Sequence, residues 1–277
     1  MKNILLPTDF SKNSINAIDY AMQFFKKERC KLYILNVQKV STFITDDMMT
    51  VAASSSVYNT IIDVSKKSIA NIIATMQSAY NNPRHKFCAL VDFDNFVDAI
   101  KQVSKIHDID LIIMGTKGAT GLNKIIFGSN TVHAMQCCNV PVLAVPNGCK
   151  FTELKSIALM GDNFLSFHVD KLKPLKRLLF LRKANLTALL IKGALKPNRC
   201  IFKSNFFNAL FSKVSCQSLE VSNNNLVEKV DHYLSTNNIQ MFALLTENHS
   251  FLNRLFRIHK VETLGFNINI PFYIMHA

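Results

Sequence analysis

The chain has 277 residues, of which 49% are apolar and 18% charged, and its formal net charge is +13. That length exceeds the usual single domain, and the composition excludes a disordered, fibrous or disulfide-stapled chain. No apolar run reaches the roughly eighteen residues a bilayer span needs, so none is expected. The seven cysteines show no CxxC spacing, which reads as free thiols of a reducing compartment. The apolar run Ile4–Leu6 is too short for the core of an export signal, so a cytoplasmic protein is expected. The basic excess is uneven, +4 over residues 1–146 and +9 over 147–277. No aromatic-basic RNA motif or helix-turn-helix pattern accompanies it, so nucleic acid is not an expected partner.

In chain order, Asn3–Leu6 reads as a buried strand ending at Pro7-Thr8-Asp9, with Ser11 placed to cap a helix. Ile15, Ile18, Met22 and Phe25 recur at helical spacing, and Leu32–Val37 is a second strand. Gln38–Ser56 is irregular in pattern. Ile61, Ile62, Ile69, Ile72, Ile73, Met76 and Tyr80 then mark a helix stopped by Asn81-Asn82-Pro83. Phe87–Val91 is a third strand and Phe96–Ile106 a helix. Leu111–Met114 is a buried strand, Ser129–Cys138 a short helix, and Val140–Val145 a fifth strand. Strands alternating with helices predict a parallel, doubly wound sheet whose ligands sit beyond the carboxyl ends of its strands.

The pattern then returns. Ser156–Leu159 resembles Asn3–Leu6, with Asp162 where Asp9 stands, and Leu186–Ile191 resembles the second strand. A shift of 130 residues lays Gln240–His276 on Asp110–Pro146, pairing Asn269 with Asn139 and Pro271 with Pro141. The expectation is two tandem doubly wound (Rossmann-like) α/β domains, 1–147 and 152–277, joined by a turn at Asn147-Gly148. Each would hold a five-stranded, mostly parallel sheet. Their last strands, Val140–Val145 and Ile270–Met275, would meet and pack the halves as a pseudo-dimer.

The stretch with chemical content runs from Met114-Gly115 through Gly118 to Gly128-Ser129-Asn130, a G-x2-G-x9-G-S skeleton. Glycines there permit positive φ and close approach of backbone N–H groups to an anion, and Gly128-Ser129 opens a helix whose free N–H groups favour phosphate oxygens. His133 and Cys137 share a helix face but lack further ligands for a metal site. No Walker-type G-x4-G-K-[ST], nucleophile elbow or HExxH occurs, so catalysis is not expected beyond slow, incidental hydrolysis.

These residues resemble the ATP-binding branch of the universal stress protein family. The resemblance covers residues 1–146 through these motifs and 154–277 through the internal repeat. It implies that Met114, Gly115, Gly118, Gly128, Ser129 and Asn130 hold phosphates and ribose. Asp9, within Pro7-Thr8-Asp9, would contact the nucleoside, and Val37 would lie against adenine. The implied ligand is ATP, or AMP or ADP, with or without Mg, and the implied role is a regulatory or sensing module in stress response. The alternative is an interaction scaffold whose basic second domain recognises a protein, lipid headgroup or nucleic acid. The second copy departs from the skeleton: Leu245, Asn248, Ile258 and His259 replace Gly115, Gly118, Gly128 and Ser129. One nucleotide per chain is therefore expected.

Overall fold

A computed structural model describes residues 1–38, 51–116, 127–161, 169–192, 211, 214–220, 226–246 and 269–276. The first strand, β1 (Lys2–Pro7), contains Ile4, Leu5 and Leu6, all fully buried, which suits a central strand covered on both faces. Helix α1 (Lys12–Phe24) starts where the Ser11 hydroxyl accepts the Ser14 N–H at 3.2 Å. β2 (Cys30–Val37), α2 (Val51–Tyr80), β3 (His85–Asp92) and α3 (Phe96–Ile106) follow. α3 begins on Asn95, whose side chain accepts the Val97 N–H at 3.0 Å, with Asp98 in its first turn and Lys105 in its last, as the helix dipole favours. β4 (Leu111–Gly115), α4 (Ser129–Cys137) and β5 (Val142–Val145) complete the first half.

The second half contributes β6 (Ser156–Gly161), α5 (Val169–Arg182), β7 (Asn185–Lys192), β8 (Val214–Glu220), α6 (Leu226–Thr236), β9 (Met241–Thr246) and β10 (Phe272–His276). The described strands form one ten-stranded sheet in the order β3-β2-β1-β4-β5-β10-β9-β6-β7-β8. The expected α/β class and meeting of last strands both hold. Pairing is parallel within each half and antiparallel only at the join, where Val142, Leu143 and Ala144 face Ile274, Tyr273 and Phe272. The register carries the repeat: Ile112 pairs Val142 in β4–β5, and Phe242 pairs Phe272 in β9–β10, both partners displaced by 130. Leu143 and Tyr273 are therefore equivalent positions facing each other, and the pseudo-twofold axis passes between them.

Alternate residues of each strand feed two cores. One holds Ile4, Leu6, Leu32 and Ile34 against α1, α2 and α5; the other holds Leu5, Tyr33 and Leu35 against α3, α4 and α6. Both run across the join. The connecting segment is pinned rather than loose. Asn16 Nδ2 donates to the Pro146 and Cys149 carbonyls at 3.2 and 3.4 Å, and the Phe151 ring meets Tyr20 edge-on at 5.5 Å. Gly148 has φ 70, the left-handed value that suits glycine in the expected turn.

Two expectations need correction. Residues 51–56, expected to be irregular, are the first turns of α2. Gly115 and Gly128 do not take positive φ; among the described glycines only Gly148 does. Among the described residues no helix is long and apolar enough to cross a membrane.

Candidate nucleotide site

β1 hydrogen-bonds β2 on one side and β4 on the other, so the strand order reverses there and a crevice opens beyond their carboxyl ends. Pro7, Thr8 and Asp9 leave β1 at this point. Ile4 pairs Leu111 and Leu5 pairs Ile112, and the same register carried forward sets Pro7 level with Met114. Val37 ends β2 one strand away. Gly128, Ser129 and Asn130 open α4, whose first turn is tied to β4 by the Thr131 hydroxyl donating to the Gly115 carbonyl at 3.0 Å. Nine of the ten expected site residues thus converge on one end of one switch point, while Gly118, like Asp162, Asn248, Ile258 and His259, lies outside the described residues.

The turn after β1 is built by short polar side chains. Thr8 Oγ1 shares a 2.9 Å hydrogen bond with Ser14 Oγ and accepts the Phe10 N–H at 3.0 Å, while Phe10 sits at φ 64. A bulky residue in the left-handed region is held there by its surroundings, here the Thr8 hydroxyl and the core against which Phe10 packs. Asp9 is exposed and accepts the Ser11 N–H at 3.1 Å. Desolvation in the turn pushes its carboxyl up, but the Ser11 hydroxyl and N–H and the Ser14 hydroxyl outweigh that and hold it below the ordinary carboxylate value. Asp9 is an anion at neutral pH.

A chain of buried polar groups, which sequence reasoning missed, fixes the neighbouring strand ends. Asn36 Nδ2 donates to the Thr8 carbonyl at 2.8 Å, and Gln38 Nε2 donates to Asn36 Oδ1 at 2.6 Å and Ser65 Oγ at 2.9 Å. α2, β2, β1 and α1 are thereby locked together at the rim. The lone asparagine in the apolar run Leu-Tyr-Ile-Leu-Asn-Val was the available signal.

Gly115 has a packing reason to be glycine. A Cβ there would lie 2.7 Å from Asn13 Nδ2 and 2.8 Å from the Asn13 carbonyl, so its absence lets the first turn of α1 close on β4. Asn13 is the unexpected member of the site. Its Oδ1 is buried without a hydrogen-bond partner. Nothing in the sequence distinguished it from a solvent-facing first-turn residue. Gly128, at φ −68 and ψ 156, starts α4 and gives the first N–H groups of that helix no side-chain cap. In the second half Leu245 takes Gly115's place and is fully buried in the core. Among the described residues no cluster of three or more His, Cys, Asp or Glu could hold a metal ion, and the His133–Cys137 pair belongs to none.

The order 3-2-1-4-5 repeated about a join of last strands, with polar groups gathered at the first half's switch point, defines a doubly wound α/β protein in tandem form. The model of the universal stress protein family matches residues 1–146, just over half of the chain, and the chain belongs to that family. Universal stress protein MJ0531 of Methanocaldococcus jannaschii is 26% identical over 145 residues, covering 52% of this chain and 81% of that protein. MJ0577 of the same organism is 25% identical over 154 residues, covering 52% and 94%. A universal stress protein from Archaeoglobus fulgidus shares the whole fold, with TM-score 0.70 at 15% identity over 99% of this chain and 98% of that one. So does PA1789 of Pseudomonas aeruginosa, described as functionally unknown, with TM-score 0.56 at 11% identity over 100% and 92%.

Proposed function

We propose that the chain binds an adenine nucleotide, ATP, AMP or ADP, in the crevice between β1 and β4, and works as a regulatory or sensing module rather than as an enzyme. The observation that carries this reading is the pairing of two polar features at one switch point: the start of α4, which has no side-chain cap, and the amide oxygen of Asn13, buried without a partner among the described residues. Free helix N–H groups suit phosphate oxygens, and a buried acceptor without a partner suits a hydroxyl brought by the ligand. Asp9, ionised and exposed, is a second acceptor for a nucleoside. The buried Leu245 of the second half supports one site per chain.

Calorimetric titration with ATP tests this directly. One site per chain is expected. Asp9→Ala should weaken binding by about tenfold or more, the cost of a charged hydrogen bond of roughly 1.5–3 kcal/mol. Gly128→Ile should fold, because its backbone angles are ordinary, yet lose the nucleotide as the side chain crowds the helix start. Two equivalent sites, or full binding by either variant, would overturn the reading.

A further inference from the structure

On the α1 and α5 side, where the two halves meet, the surface carries a feature that nucleotide binding does not use. Leu172, Leu175, Leu178 and Leu179 bury the inner stripe of α5, but Phe180 in its last turn is 82% exposed and Leu181 is 44% exposed. Phe180 shares its outward stripe with Lys173, Lys176 and Arg177, and Lys183 follows the helix end. Arg182 points elsewhere. Its guanidinium donates to the Phe24 carbonyl, pairs with Glu28 at 3.2 Å and lies 4.6 Å from the Phe24 ring centroid. That contact draws the end of α1, with exposed Lys26, Lys27 and Arg29, against the end of α5.

Glu28 is taken by Lys2 and Arg182, and Asp170 by Lys173. Among the described residues, Lys26, Lys27, Arg29, Lys176, Arg177 and Lys183 form no ion pair. Six cations unpaired among the described residues therefore lie around an apolar tip. We propose that this patch docks the protein reversibly on an anionic lipid surface, with Phe180 and Leu181 entering the interfacial layer and the cations facing the headgroups.

The arrangement matches a surface whose charge is outermost and whose hydrocarbon lies beneath. A single-stranded nucleic acid would be met by several aromatic platforms along a basic groove, and this patch offers one ring. The patch also lies where β1 and β2 begin, since Lys2 and Glu28 belong to it, and the crevice lies where they end. Docking leaves the crevice facing away from the membrane, and this inference stands apart from the nucleotide reading.

Co-sedimentation of the full chain with vesicles provides the test. Binding is expected to phosphatidylcholine–phosphatidylserine vesicles and not to phosphatidylcholine alone. It should weaken at least about tenfold when salt rises from about 0.1 to about 0.5 M, since screening shortens the reach of exposed charges. Phe180→Ser should reduce binding several-fold, and Lys176→Glu combined with Arg177→Glu should abolish it. Both sets of residues are exposed, so unchanged thermal unfolding will report intact folds. Absence of binding to anionic vesicles, equal retention on neutral ones, wild-type binding by both variants, or preferential capture by a single-stranded oligonucleotide would each overturn the proposal.

Discussion

Asn13 offers a way to separate a residue's contribution to folding from its contribution to a ligand. A buried acceptor with no partner costs the free protein about 1–3 kcal/mol. Leucine has the same shape and no polar atoms. Asn13→Leu should therefore raise the stability of the ligand-free protein, by about 1 kcal/mol, while reducing the thermal shift that ATP produces. A variant that is destabilised, or that keeps the full ATP shift, would remove Asn13 from the site. Gly115 and Gly128 divide the same way. Gly115 serves the approach of α1, so its substitution would disturb packing before binding, whereas Gly128 tolerates a side chain in its backbone and reports on the ligand. The sequence made both visible through one spacing, but it could not tell these roles apart, because the difference lies in what stands 2.7 Å away on another element.

Between elements, the start of α4 is held by the opposite half. Phe127, immediately before Gly128, meets Phe272 of β10 edge-on at 5.0 Å, and Phe272 meets Phe242 of β9 at 5.8 Å. The second half thus buttresses the helix start that the first half would use. Phe272→Leu should cost about 1 kcal/mol of stability, the order of an edge-to-face pair, and should also weaken nucleotide binding several-fold. Leu234→Ala, in the core under α6 and remote from the crevice, should lower stability without that loss. Equal affinity in both variants would reduce Phe272 to ordinary core. Much of this level was legible: α3 runs over its expected residues because cap, stripe and terminal charges agree. The first turns of α2 were hidden because Val-Ala-Ala-Ser-Ser-Ser has no apolar period. α5 carries Pro174 and many lysines, and β8 is rich in short polar residues, so neither displayed a readable pattern.

At the scale of the molecule, the antiparallel contact of β5 and β10 covers two apolar edges at once. Residues 1–147 expressed alone would leave β5 open, and they should self-associate by pairing β5 with its own copy about Leu143. Sedimentation of that fragment should give a dimer, and a stable monomer would show that β5 needs no partner. The repeat and the shared Asn-x-Pro made this join legible from sequence, since equivalent strands that end two halves have equivalent open edges. What separates the halves was legible only as substitutions, and the join carries one of its own. In a symmetric pair, the residue on the axis has to accept its own copy, and any change occurs twice. Here Leu143 faces Tyr273. The axis position is no longer bound by self-complementarity, so the two halves are free to diverge there. If the first half alone binds nucleotide, as proposed, there is no twin site to cooperate with. Its occupancy should follow nucleotide concentration as a simple hyperbola, a graded gauge rather than a threshold switch.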